Sequence, residues 1–143
     1  MTSPFLASAQ SVVGTYKLIS FTADYEDGTS EDFFGKQPVG FLILTPNRLM
    51  TIIVPENRTP AATPEQRAAL LGSLISYTGP YRIEGSKLIT DVDISWNQSW
   101  TGSKQGRTLK VQGDRLTLTT DKAPSPLDPT RIGVGRLEWE KVE

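Results

Sequence analysis

The chain has 143 residues, of which 37% are hydrophobic and 22% are charged, and its formal net charge is −1. This length suits one domain with one core, and the balanced charge, without a basic cluster, argues against nucleic acid or anionic lipid as a partner. Cysteine and histidine are both absent, which excludes disulfides, zinc-thiolate sites and the Ser-His-Asp relay. We therefore expect neither a metal nor a cofactor.

We expect no secretory signal at the N-terminus. The first residues, MTSPFLASAQSVVG, lack the positive charge and the apolar run of a secretory signal peptide. No segment approaches the roughly 18 apolar residues of a membrane span. We predict a cytoplasmic protein with a single domain over residues 1–143, in which residues 1–11 form a loose N-terminal segment.

The first half of the chain predicts three strands. β-Branched and aromatic residues alternate roughly over residues 12–21, and Glu26-Asp27-Gly28 is a turn signal. Residues 39–45 and 48–54 are apolar runs joined by Pro46-Asn47, which is typical of a tight hairpin.

The hydrophobic period then changes to that of a helix. Thr63 and Gln66 form a capping box, with Pro64 at the first helical position. Apolar residues follow at helical spacing: Leu70, Leu71, Leu74 and Ile75. We predict a helix over residues 64–76 whose apolar stripe packs on the core, in a position that could cover one end of the domain.

The strand pattern returns after Gly79-Pro80. Strands are predicted over residues 81–84, 87–95, 104–112, 115–120 and 132–142, with an open loop over residues 121–130. About eight antiparallel strands form either a closed barrel or a sandwich, and the barrel is favoured because it leaves no exposed sheet edges. An eight-stranded barrel has room for packed side chains or for one small ligand.

Several motifs resemble those of the small bacterial and fungal lipocalin-like domain proteins. They are GTYKL at 14–18, PVGFLILTP at 38–46, the residues Ser95, Asn97, Trp100, Gly102, Gln105 and Arg107, GDRLTL at 113–118 and RLEWEKV at 136–142. The resemblance implies a calycin-type barrel with one short helix and a chamber, in a group that includes carriers and cofactor-free cyclases or isomerases. Members often carry a His-His pair where this chain has Thr90-Asp91, so imidazole chemistry is absent here.

Strand alternation predicts which side chains face the chamber. If Lys17 points outward, Tyr16 and Leu18 point inward. Tyr77, Tyr81 and Ile83 share one face, which we take as the inner one because the other carries Arg82 and Glu84. Along residues 87–95 and just beyond, the apolar face, opposite Asp91 and Asp93, consists of Leu88, Val92, Ile94 and Trp96.

Gln105 and Arg107 fall on the same predicted inner face as Leu109 and Val111. A guanidinium inside a barrel requires a partner, because burying an unpaired charge is costly. That partner could be a carboxylate, a tyrosine hydroxyl, a backbone carbonyl or an oxygen atom of a ligand. Trp96 and Trp100 bracket a polar turn; they either plug the barrel or contact an apolar ligand, and the same alternatives hold for Tyr16.

Three functions fit this pattern. The favoured one is a cofactor-free cyclase or isomerase of secondary metabolism, acting on an oxygenated, largely apolar metabolite such as a polyketide or terpenoid. Arg107, helped by Gln105, would stabilise an enolate oxygen, Tyr81 or Tyr77 would move a proton, and Asp93 would be a reserve base if its strand had the opposite parity. The alternatives are a carrier that binds the same kind of molecule through Tyr16, Tyr77, Trp96, Trp100 and Gln105, and a filled barrel whose surface binds a protein. The oligomeric state stays open.

Overall fold

The computed structural model describes residues 12–126 and 128–143, so the predicted loose segment at 1–11 lies outside the described residues. Within them the chain forms the helix α1 (Pro64–Gly72) and a series of strands. In chain order these are β1 (Gly14–Tyr25), β2 (Ser30–Asp32), β3 (Val39–Leu44), β4 (Arg48–Val54), β5 (Ile75–Glu84), β6 (Lys87–Asp91), β7 (Ile94–Ser95), β8 (Lys104–Gln112), β9 (Arg115–Thr120), β10 (Ala123–Pro124) and β11 (Ile132–Lys141).

Eight of these strands close into an antiparallel barrel, which confirms the predicted fold class. The order around the barrel is β1, β3, β4, β5, β6, β8, β9, β11, and β11 pairs with β1 to close it. The closing ladder is long, running from Tyr16 opposite Lys141 to Tyr25 opposite Gly133. The short strands β2, β7 and β10 pair with β1, β5 and β11.

One end of the barrel is filled with side chains. Trp139, Leu116, Leu44 and Leu49 are each no more than 1% exposed, and Tyr16 lies with them. The Tyr16 hydroxyl donates a 2.7 Å hydrogen bond to the carbonyl of Val12. This end therefore holds the tightly packed core and leaves the opposite half of the barrel for a chamber.

A β-bulge in β1 decides which side chains enter the other half. The register between β1 and β11 shifts between Leu18 and Ser20. An extra residue reverses the alternation that follows it. As a result Phe21, Ala23 and Tyr25 are buried, although strict alternation from Leu18 would have turned them outward.

Helix α1 begins as predicted, but its end and its packing differ from the prediction. The capping box is present: the Thr63 hydroxyl accepts a hydrogen bond from the Gln66 amide, and the Gln66 side chain accepts one from the Thr63 amide. The helix ends at Gly72 because the barrel recruits Ile75 into β5, opposite Ile53. No residue of α1 is buried and Leu71 is 55% exposed, so the predicted packing of a helical apolar stripe on the core is wrong.

The predicted strand over residues 87–95 is interrupted in the structure. β6 ends at Asp91, after which the Val92 amide bonds to the Ser103 carbonyl and the Asp93 amide to the Thr78 carbonyl. The short β7 then pairs with the edge of β5, with Ile94 opposite Thr78. Leu88 and Val92 are buried as predicted, whereas Ile94 is 67% exposed, so its predicted inward position is wrong.

Candidate functional site

The half of the barrel opposite the filled end contains a cavity of about 290 Å³. Its floor includes Leu42, Leu118, Leu137 and Trp139, and chain segment 121–126 contributes to its rim. Ligand pockets in proteins are typically about 300 to 1,000 Å³, so this cavity is at the small end of that range. A cavity of this volume could enclose only a small molecule.

Aromatic side chains form much of the cavity wall. Phe21 and Phe33 contact each other with ring centroids 4.6 Å apart, and both line the cavity. Tyr77 and Trp100 also line it, with centroids 5.4 Å apart. Rings of this kind provide large apolar contact surfaces for a flat ligand.

Strand alternation predicted that Arg107 faces the chamber, and in the structure Arg107 lines the cavity. One guanidinium nitrogen donates to the Gly106 carbonyl at 2.9 Å and to the Gln105 side-chain oxygen at 3.4 Å. The guanidinium carbon lies 6.0 Å from the centre of the Trp100 ring. The Gln105 amide in turn donates to the Ser103 hydroxyl at 2.9 Å, which orients its oxygen toward Arg107.

The charge of Arg107 is left without an anionic partner. Arg107 is partly buried, and within residues 12–126 and 128–143 no carboxylate lies within ion-pair distance of it. Its partners are an amide oxygen and a backbone carbonyl. A cation held beside an apolar cavity by neutral groups can still bind a negatively charged or strongly polarised oxygen atom.

A second polar group lies at the rim and was not found from the sequence. Tyr25 lines the cavity, and its hydroxyl donates a hydrogen bond to Glu31. The guanidinium carbon of Arg131 lies 3.6 Å from the centre of the Tyr25 ring, and Arg131 also pairs with Glu31 at 3.4 Å. This cluster ties β1 and β2 to the chain before β11. Strict alternation from Leu18 predicts that Tyr25 points outward, and the bulge in β1 reverses this.

Replacing Tyr25 with phenylalanine should change the alkaline stability of the protein. Burial, then the hydrogen bond with Glu31 and its negative charge, raises the pKa of Tyr25 to about 12, against 10.0 ordinarily. Between these values the unfolded chain binds fewer protons than the folded one, so the free energy of unfolding falls as pH rises. Urea unfolding between pH 9 and pH 12 should show a shallower fall for Tyr25→Phe. Equal slopes for the two proteins would contradict this assignment.

Of the residues singled out from the sequence, Tyr77, Trp100, Gln105 and Arg107 come together around the cavity. Trp96 lies behind them and contacts Trp100 edge to face, with centroids 5.0 Å apart. Tyr16 is buried at the filled end of the barrel. The ligand-binding roles given to these residues stay predictions.

Tyr81 and Asp93 lie apart from the described cavity lining. The Tyr81 hydroxyl donates to the Thr45 carbonyl at 2.7 Å, and burial raises the pKa of Tyr81. Asp93 is on the outer surface, where it accepts two hydrogen bonds from Arg48, at 3.0 and 2.7 Å. The hydrogen bond with Arg48 lowers the pKa of Asp93, which keeps it ionised. Their catalytic roles also stay predictions.

Among the described residues, no group of three or more histidine, cysteine, aspartate or glutamate side chains could hold a metal ion. No helix in the described part of the chain has the length and apolarity needed to cross a membrane.

Comparison with known proteins gives the class of the fold. The lipocalin-like domain family matches residues 13–142, nearly the whole chain. No curated protein matches the sequence. The chain belongs to the lipocalin-like domain family. A barrel of this class with an internal cavity suggests that the protein binds a small molecule.

Proposed function

We propose that the protein binds, within the barrel, a small and largely apolar ring-containing molecule whose carbonyl, enolate or carboxylate oxygen is held by Arg107. The observation that carries this proposal is the partly buried guanidinium in an aromatic cavity, where its partners are the neutral Gln105 side chain and the Gly106 carbonyl. An oxygen-bearing ligand would supply the anionic partner that the described residues do not.

Both the oxygen atom and the rings of such a ligand would contribute to its affinity. A hydrogen bond to a charged group contributes about 1.5 to 3 kcal/mol, and the neutral partners of Arg107 leave that contribution for the ligand. Burying the rings against Phe21, Phe33 and Trp100 would contribute about 25 cal/mol for each Å² removed from water. The small cavity limits the ring system to a compact one.

A matched pair of probes tests this proposal. 2-Naphthoate and 2-methylnaphthalene have the same ring system but differ in one carboxylate. We expect 2-naphthoate to bind about tenfold more tightly or better, measured by isothermal titration calorimetry, because only it reaches Arg107 with an oxygen anion. Equal affinities would show that Arg107 does not anchor the ligand, and no binding of either compound would contradict the proposal.

A cofactor-free cyclase or isomerase is the second candidate, and Tyr77 favours it. Tyr77 lines the same cavity as Arg107, and its hydroxyl makes no hydrogen bond with any of the described residues. It is therefore available to donate or relay a proton while Arg107 stabilises an enolate oxygen. This assignment gives the proton transfer to Tyr77 rather than to Tyr81 or Asp93, whose polar groups are held by Thr45 and Arg48. The substrate would be a polyketide- or terpenoid-like metabolite.

Metabolite profiles of the source organism with and without this gene separate the two candidates. A catalyst predicts that an uncyclised or isomeric precursor builds up in the deletion strain. A carrier predicts the same products in lower amount or in a different distribution. With the precursor in hand, Tyr77→Phe should lose turnover and keep binding if the protein is a catalyst.

A further inference from the structure

An apolar patch covers the outer face of the hairpin formed by β3 and β4. Val39, Phe41 and Ile43 of β3, with Met50 and Ile52 of β4, are each between 39% and 51% exposed. Phe41 pairs with Ile52 and Ile43 with Met50, so these side chains are direct neighbours on one face. The row continues from Met50 through Thr78 to the exposed Ile94.

We use the name β3–β4 patch for the six exposed apolar residues Val39, Phe41, Ile43, Met50, Ile52 and Ile94. An antiparallel strand with one face on the core usually carries polar residues on its other face. β3 and β4 bury Leu42, Leu44 and Leu49 inside the barrel but are also apolar on the outside. Barrel packing does not require this second apolar face. Contiguous exposed apolar patches of this kind mark interaction surfaces.

We propose that the β3–β4 patch is the interface through which two copies of this chain form a two-fold symmetric dimer. Six large side chains at these exposures present on the order of 400 to 500 Å² of apolar surface, comparable with the largest patch on a typical monomer, which is often functional. A standard interface buries about 800 Å² on each partner, with an apolar centre and a polar rim. Thr15, Lys17, Ser76 and Arg48 neighbour the patch on adjoining strands and would supply that rim.

The charges around the patch favour a second copy over a strongly charged partner. On one side Arg48 is neutralised by Asp93, and on the other Lys17 lies opposite Glu140 in the β1–β11 ladder. This balanced rim offers no attraction for nucleic acid or for an anionic membrane. The net charge of −1 means that two copies repel each other very little.

The dimer does not depend on the proposed ligand. The patch faces outward from β3, β4 and β7, whereas Arg107 and Trp100 face the cavity inside the barrel. Each proposal can therefore fail without the other.

Sedimentation velocity on the full chain, from about 1 to 100 µM, tests the dimer. We expect a species with twice the mass of one 143-residue chain. Phe41→Glu and Met50→Glu, placed on different strands, should each raise the dissociation constant by about 100-fold or more, because each buries a charge at the interface. Far-UV circular dichroism should show that both variants stay folded, since both side chains lie outside the core.

Leu71→Glu is the matched control, because Leu71 is similarly exposed, at 55%, but belongs to α1 and not to the patch. It should dimerise like the wild type. A wild-type protein that is monomeric at 100 µM would overturn the proposal and leave the patch to a different partner. A dimer that persists in both patch variants would overturn it too, because the interface would then lie elsewhere.

Discussion

Replacing Arg107 with methionine should abolish the preference of this protein for an oxygen anion. We expect 2-naphthoate to bind about 10- to 100-fold more weakly, and 2-methylnaphthalene to bind as it does to the wild type. Methionine keeps most of the length and apolar contact of arginine, so the change removes the charge and its hydrogen bonds rather than the cavity wall. The affinities of both probes can be measured by isothermal titration calorimetry.

Two control variants make the Arg107 result specific. Arg48→Met removes a cation of the outer surface, where Arg48 pairs with Asp93, and should leave both affinities unchanged. Arg107→Lys keeps the charge but loses the planar guanidinium, so it should retain part of the preference for 2-naphthoate. An Arg107→Met protein that still binds 2-naphthoate more tightly than 2-methylnaphthalene would show that another group holds the carboxylate.

Gly79→Ala should destabilise the fold by about 3 kcal/mol or prevent folding altogether. A Cβ atom at Gly79 would lie 2.0 Å from the carbonyl oxygen of Asp91 and 2.8 Å from its carbonyl carbon. Both are backbone atoms, and the adjoining chain is held by the hydrogen bond from the Asp93 amide to the Thr78 carbonyl at 3.0 Å. Neither segment can move aside without breaking the pairing around β5. Urea unfolding followed by tryptophan fluorescence measures the loss.

Gly106→Ala provides the same chemical change without the clash. Gly106 also lies within a barrel strand, but no atom lies within 4 Å of the position where its Cβ would be. We expect its free energy of unfolding to stay within about 1 kcal/mol of the wild type, since alanine also restricts the unfolded chain. Equal losses in the two variants would show that close backbone approach at Gly79 is not the cause.

The sequence by itself determined the features that depend on neighbouring residues. The apolar runs at 39–45 and 48–54, joined by Pro46-Asn47, predicted the β3–β4 hairpin, and Thr63 and Gln66 predicted the start of α1. Alternation along β8 predicted that Gln105 and Arg107 share the inner face, and in the structure both line the cavity. These features follow from local backbone geometry, which a short stretch of sequence contains in full.

Only the tertiary structure decided the features that depend on pairing between distant segments. The bulge after Leu18 exists because β11 pairs with β1, and it turns Tyr25 into the cavity. Pairing with β4 ends the helix early by drawing Ile75 into the barrel, and pairing with Thr78 turns Ile94 outward. Arg131 reaches Glu31 across 100 residues of chain. The physical reason is common to all four: barrel closure fixes the register of each strand, and register, rather than local propensity, sets which face a side chain occupies.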